Sequence, residues 1–154
     1  MSVQFTDNSV QVKAAMDEAV SAFLSEAGGE VVAHASRHSP KDTGQLRGSW
    51  ASDVNESKAE VKVGSPLENA IWNEFGTGEY AAEGKGRKGG WYVPADKLSA
   101  KAKTKMRKVV INGKEFYFTK GKRPQRTLEN AFTKNKSKLK KRAEEIFKEK
   151  LGDK

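Results

Sequence analysis

The chain has 154 residues, which suits one domain and is too short for two of typical size. It contains no cysteine, which excludes a disulfide framework, thiolate zinc sites and cysteine nucleophiles. The net charge of +9 is uneven: residues 1–83 carry 6 Lys/Arg against 13 Asp/Glu, a net of −7, and residues 84–154 carry 23 against 7, a net of +16. The acidic part of one copy can therefore dock on the basic part of the next, or the basic part can face nucleic acid. A solvated surface is the alternative.

The mean hydropathy of −0.77 is low for a compact globule. We therefore expect part of the chain to be mobile or to become ordered only against neighbours. The N-terminus carries acidic residues and no long apolar run, so no signal peptide is expected. No stretch approaches the roughly 20 apolar residues of a membrane span, so no membrane association is expected.

An apolar stripe predicts a first helix over residues 10–36. Gly28-Gly29 is expected to bend or break it, because glycine costs about 1 kcal/mol against alanine inside a helix. Ser39-Pro40 is expected to end it, since the residue before a proline avoids the helical region. The stripe consists of Val12, Met16, Ala19, Val20, Phe23, Leu24, Ala27, Val31 and Ala35.

The middle of the chain predicts a hairpin after a turn cluster at residues 40–44. Two strands are expected at Leu46–Asp53 and Ala59–Gly64, the second from the alternation of valines with charged residues. Residues 55–58 form the loop between them. An apolar and aromatic segment, residues 69–75, then ends at Gly-Thr-Gly.

The basic half predicts an insertion, a second hairpin and a last helix. Residues 81–108 form a flexible basic insertion in a single domain of residues 1–154, apart from a short strand at residues 91–93. Asn112-Gly113 indicates a type I′ hairpin turn between residues 109–111 and 115–119. The last helix runs from Thr127 to about Leu151. The fold class is α+β: a long N-terminal helix, a small antiparallel sheet with an inserted basic loop and hairpin, and a C-terminal helix packed on the sheet.

No motif for catalysis or cofactor binding is recognisable. His34 and His38 share a helix face, but Ala35 stands where a zinc-protease helix has its glutamate, and two histidines alone do not make a metal site. The glycine-rich run at residues 84–90 lacks the pattern of a phosphate-binding loop. We therefore expect no enzyme activity, no cofactor and no metal, and an enzyme of unknown type is the weakest alternative.

Two motifs resemble signatures of a family of phage neck proteins, variously described as tail-completion, head–tail joining or minor structural proteins. Residues 39–49 resemble its "A/S-P-x-D-T-G-x-L-R-x-S" signature, and residues 73–78 resemble its "x-E-F-G-T-G" signature. Residues 123–131 occupy the place of its aromatic-proline segment, with Gln125-Arg126 and Glu129 departing from the pattern. The order of the motifs covers nearly the whole chain.

The resemblance implies an α+β virion protein without catalysis that forms a ring, of six or twelve copies, in the head–tail connector or neck around the DNA channel. Neighbouring connector and tail-tube proteins would be its partners, and it would be made in the host cytoplasm. The family-motif residues are Asp42, Thr43, Gly44, Leu46, Arg47, Glu74, Phe75, Gly76, Thr77 and Gly78.

The chemistry of the same motif residues also suggests individual roles for them. Asp42 and Thr43 can bond the local backbone, Gly44 can supply a left-handed turn, and Leu46 can anchor the following strand. Arg47 could pair with Glu74 or Asp42. Phe75 would be an aromatic anchor before a tight glycine turn. The alternative to a binding site is that both motifs only hold the fold.

Basic side chains of the insertion are candidates for inter-subunit or DNA contact, with an acidic surface of the same protein slightly favoured over DNA. The alternative function is a non-specific DNA-binding protein that uses the basic half, with aromatic residues at 91, 92, 116 and 117 interleaved. The candidates are Lys85, Arg87, Lys88, Lys101, Lys103, Lys105, Arg107 and Lys108.

Overall fold

A computed structural model describes residues 4–41 and 43–152. It confirms the α+β class, with helices at both ends of the chain and strands between them. The helices are α1 Ser9–His38, α2 Gln45–Gly48, α3 Glu68–Phe75, α4 Ala100–Lys103 and α5 Thr127–Leu151. The strands are β1 Ala51–Asn55, β2 Glu60–Gly64, β3 Trp91–Pro94, β4 Arg107–Ile111 and β5 Lys114–Thr119.

The strands form two separate antiparallel sheets, where the sequence analysis expected one. In the first sheet β1 pairs with β2, with Ala51 opposite Gly64. The second sheet has the order β3-β5-β4, so the strand at residues 91–94 belongs to it. The predicted type I′ turn between β4 and β5 is confirmed, because Asn112 and Gly113 have φ of 50° and 74°.

The two long helices are antiparallel and are joined by ion pairs between opposite ends of the sequence. Three such pairs cross the interface: Lys138 Nζ–Glu30 at 2.9 Å, Arg142 Nε–Glu26 at 2.6 Å and Lys150 Nζ–Glu18 at 2.5 Å. The steps of four and eight residues on each helix keep all three pairs along one seam. Part of the acidic half is therefore neutralised by the basic half within one subunit.

The main core lies between these helices and the first sheet. Its buried members include Ala27, Val31, Ala35, Leu46, Trp50, Ala131 and Leu139. The expected break at Gly28-Gly29 does not occur, since α1 runs unbroken through both glycines. A Cβ on Gly28 would come within 2.9 Å of Ser52 Cβ and Val61 Cγ2. Gly28 therefore lets α1 pack closely on β1 and β2.

One expectation about an element boundary was wrong, and part of the apolar stripe of α1 is exposed. Leu46 was expected to begin a strand, but it lies in the one-turn helix α2, and β1 begins at Ala51. The helical turn places Leu46 in the core. At the other end, Val12 and Met16 are exposed because the last ion pair with α5 is at Glu18, which leaves the first turns of α1 uncovered.

No helix of the described residues combines the length and the apolar character needed to cross a bilayer.

Candidate functional site

The first signature folds as a turn that ties the end of α1 to the core. Ser39 is buried, and its hydroxyl donates to the carbonyl of Ala35 at 2.8 Å and accepts from Trp50 Nε1 at 2.7 Å. Thr43 Oγ1 accepts the backbone N–H of Gln45 at 3.3 Å, which is a local hydrogen bond of the predicted kind. Asp42 lies outside the described residues.

Gly44 adopts the left-handed conformation that the sequence predicted, with φ of +79° immediately before α2. The side chain of Arg47 makes none of the predicted contact with Glu74, because Glu74 bonds the start of α5 instead. The backbone carbonyl of Arg47 accepts from Ser36 Oγ at 2.6 Å. Gly44 and Leu46 therefore serve local architecture, whereas the side chain of Arg47 is exposed.

The second signature forms the N-terminal cap of α5. The residue before this helix, Arg126, has φ of +49° and offers no side-chain cap. Instead, Glu74 Oε2 and Oε1 accept the backbone N–H groups of Leu128 and Glu129, each at 2.8 Å. These N–H groups have no partner inside the helix, and a carboxylate there also interacts favourably with the helix dipole. Glu74 therefore stabilises the junction between α3 and α5.

Asn73 is the buried centre of the same junction, with none of its surface exposed. Its Nδ2 donates to Thr127 Oγ1 at 2.7 Å, and its Oδ1 accepts from Lys122 Nζ at 3.0 Å. Its backbone carbonyl accepts the N–H of Gln125 at 2.8 Å. Three bonds thus fix the segment that leads into α5 against the end of α3.

The glycines of the second signature allow the chain to pass directly against this segment. Thr77 N–H donates to the carbonyl of Lys122 at 2.8 Å, and Thr77 Oγ1 accepts the N–H of Lys122 at 3.0 Å. Gly76 has φ of +72°, and a Cβ there would lie 2.7 Å from the same carbonyl and 2.8 Å from Pro124. A Cβ on Gly78 would clash with the carbonyl of Lys120 and the ring of Trp91. Residues 73–78, apart from the exposed Phe75, are therefore brought together as one clamp between α3 and α5.

Phe75 is not an internal anchor, since 55% of it is exposed. It lines a groove of about 530 Å³ with Ile71, Leu128 and Phe132, where Ile71 and Phe132 are likewise more than half exposed. Phe75 is exposed because it lies on the outer face of α3, whereas Asn73 and Ala70 occupy the inner face. The apolar surface here is available to a partner.

The predicted basic contact residues have different local partners in the structure. Lys85 and Lys108 are paired with Glu83 and Glu115, and the guanidinium of Arg87 lies 5.8 Å from the ring centre of Trp91. Lys88, Lys103 and Arg107 form no ion pair with the described residues. Only Lys101 and Lys105 meet around one pocket, beside α4.

That pocket gathers four lysines from three distant segments. Lys41 and Lys122 join Lys101 and Lys105 around a volume of about 600 Å³, and its described lining contains no acidic side chain. Burial lowers the pKa of Lys122, whose ammonium is held by the neutral amide of Asn73. Such a pocket can accept an anion, because lysine binds phosphate or carboxylate as a point charge.

The histidine pair lies at the C-terminal end of α1, with Lys134 of α5 near His34. The rings of His34 and His38 stack with centroids 4.0 Å apart, and His38 Nδ1 lies 2.9 Å from the carbonyl of His34. His34 is buried, and its Nδ1 has no hydrogen-bond partner among the described residues. Burial lowers its pKa, and the nearby His38, Lys134 and Arg37 lower it further. No group of three or more potential ligands for a metal is found among residues 4–41 and 43–152.

Sequence reasoning missed Asn73, Lys122 and Lys41. Asn73 stands at the variable first position of the second signature, so the motif gave it no role. The sequence before α5 could have indicated a distant cap. The residue before Thr127 is Arg126, and not one of the usual capping residues Ser, Thr, Asp or Asn. A helix that lacks its own cap needs one from elsewhere in the chain.

Residues 4–76 match the family model described as "Bacteriophage HK97-gp10, putative tail-component". The match covers just under half of the chain and takes in α1, α2, the first sheet and α3, where it ends at Gly76. It supports a phage neck or tail family, a structural role and a location in the virion. The second sheet and α5 lie outside the match. No curated protein and no solved structure matches the chain.

Proposed function

We propose that this chain is a non-enzymatic structural protein that forms a ring in the head–tail connector of a tailed phage, as a tail-completion or tail-terminator protein through which DNA passes. The match of residues 4–76 to a phage tail component carries the proposal. The clamp at residues 73–78 supports it, because its polar groups are engaged in holding α3 and α5 together. Because these polar side chains hold the fold together, the signature offers no candidate catalytic site.

Assembly is supported by the large apolar side chains that remain exposed. Ile71, Phe75 and Phe132 face solvent around one groove. Contiguous apolar surface on a subunit is typical of protein–protein interaction sites. The neighbouring connector and tail-tube proteins, and other copies of this chain, are the proposed partners.

Light scattering tests the ring. We expect a discrete mass of six or twelve subunits of 17.0 kDa, alone or after addition of a partner ring. Phage that lack the protein should accumulate filled heads and separate tails. A protein that stays monomeric with every connector partner, or phage that join heads to tails without it, would contradict the proposal.

Non-specific DNA binding is the second candidate, and the pocket of Lys41, Lys101, Lys105 and Lys122 favours it. Each phosphate contact should add about 0.9 to the slope of log affinity against log salt on duplex DNA. Lys101→Gln with Lys105→Gln should weaken binding and reduce that slope. The matched control, Lys140→Gln with Lys141→Gln, removes the same charge from α5.

An equal loss in both double variants would show attraction by net charge only. The titre of infectious phage distinguishes DNA binding from head–tail joining. If the pocket variant joins heads to tails normally but loses DNA binding, the lysines serve DNA and not joining. If joining fails while DNA binding persists, the pocket takes an acidic protein surface. The wider variant with glutamine at residues 101, 103, 105, 107 and 108 should impair joining in the same way.

A further inference from the structure

An open apolar groove runs between β2 and α5. It is lined by Phe23, Val61, Val63, Leu128, Phe132 and Leu139, and has a volume of about 420 Å³. The only charged residue of its described lining is Lys136. It shares Leu128 and Phe132 with the groove beside α3, so the two form one continuous apolar surface.

The groove also borders an unpaired strand edge. The first sheet consists of β1 and β2 alone, so among the described strands nothing pairs with the second edge of β2. A two-stranded hairpin is marginally stable, and its free edge can accept an added strand. An extended segment lying there could bond the backbone of β2 and place an apolar side chain under α5.

The chain carries a segment of this kind at its N-terminal end. Residues 4–8 precede α1, are exposed and form no helix or strand. Phe5 is 90% exposed, more than any other large apolar side chain of the described residues, and Val10 follows at 80%. These side chains extend from the uncovered end of α1, beyond the ion pair of Glu18 with Lys150.

The groove of the same subunit is out of reach for Phe5. Fourteen residues of α1 separate Ser9 from Phe23, a rise of about 21 Å at 1.5 Å per residue. The four residue steps from Ser9 back to Phe5 span about 14 Å when fully extended, which is short of that rise. Phe5 can therefore reach such a groove only on another copy, where the groove is likewise open.

We propose that residues 4–8 of one copy dock in the groove of a second copy, with Phe5 between β2 and α5 and the backbone along the free edge of β2. Asp7, the one charged residue of the segment, is complementary to Lys136 at the groove. Because donor and acceptor surfaces differ, the contact is heterologous and repeats from copy to copy, which closes into a ring when the rotation allows. The inference rests on the proposed ring and names the contact that would build it.

Cysteine cross-linking tests the contact directly, because the chain has no native cysteine. Chains carrying Thr6→Cys, which keep the Phe5 ring, are mixed with chains carrying Phe132→Cys and treated with a short bismaleimide. We expect a covalent dimer of the two different chains. The control mixture pairs Thr6→Cys with Trp72→Cys, at an exposed aromatic residue that lines neither apolar groove, and should give little dimer.

A second measurement uses light scattering on Phe5→Ser, which should lower the oligomer mass while Trp72→Ser leaves it unchanged. Absence of the cross-link between residues 6 and 132, or equal cross-linking to residue 72, would overturn the inference. A ring that persists in Phe5→Ser without the cross-link keeps the proposed function and removes this contact. A cross-link in a protein that never reaches the mass of a ring keeps the contact and removes the ring.

Discussion

Replacement of Glu74 tests whether the second signature is an architectural clamp. Glu74→Ala removes the acceptor for two backbone N–H groups at the start of α5, both bonded at 2.8 Å. Loss of an N-cap side chain costs about 0.5–2 kcal/mol, and loss of a negative charge at a helix N-terminus adds about 0.3–1 kcal/mol. We expect unfolding free energy to fall by about 1–3 kcal/mol, because nothing at Arg126 replaces the cap.

The assay is urea denaturation followed by far-ultraviolet circular dichroism, with two controls. Glu74→Gln keeps one acceptor oxygen and loses the charge, so it should fall between the wild type and Glu74→Ala. Glu129→Gln removes a negative charge from the same first turn of α5 but no acceptor of a backbone N–H, so it should cost only the dipole contribution of about 0.3–1 kcal/mol. If Glu74→Ala is as stable as Glu129→Gln, the capping argument is wrong.

Three further predictions concern the first turn, the buried histidine and salt. Gly44→Val should lower the free energy of unfolding by more than about 1 kcal/mol, because φ is +79° at this residue, whereas Gly48→Ala should not. Equal thermal stability of the two variants would refute the turn strain. Stability should be full above about pH 6.5 and fall as pH drops towards the lowered pKa of His34, because the unfolded chain then binds more protons. His34→Asn should flatten this fall, and His38→Gln should retain most of it, because burial is the main cause of the lowered pKa. Assembly driven by charge should weaken with added salt, whereas assembly driven by Phe5 should persist, as light scattering across a salt series would show.

Much of the fold could be predicted from local sequence signals. Apolar periodicity predicted α5 at the residues where it occurs, the Ser39-Pro40 step predicted the end of α1, and Asn112-Gly113 predicted the turn between β4 and β5. Each of these signals acts within a few residues. Leu46 was misplaced because its burial is compatible with a strand or a helical turn, and only the packing of the turn on α1 decides between them.

The candidate site was less predictable because its partners are far apart in sequence. Glu74 caps a helix whose first N–H groups are 54 and 55 residues away, and Asn73 bonds Thr127 at a similar separation. The pairing of Arg47 with Glu74 was a reasonable interpretation of opposite charges, but two unsatisfied N–H groups at the start of α5 are the partners that the fold supplies. The lysine pocket likewise depends on the route of residues 119–125, which no local pattern fixes.

Some of the opposite charges of the two halves of the chain pair with each other within the subunit. Glu18, Glu26 and Glu30 of the acidic half bond the basic side chains of α5, so they are not available to attract a second copy. Exposed ion pairs of this kind add little stability, although all three are compatible with one register of α1 on α5. The first turns of α1 extend beyond the pair at Glu18, and the length of α1 separates Phe5 from the groove of its own subunit. Opposite charges are therefore partly used inside the subunit, and the exposed apolar residues are the better candidates for the proposed contact between copies.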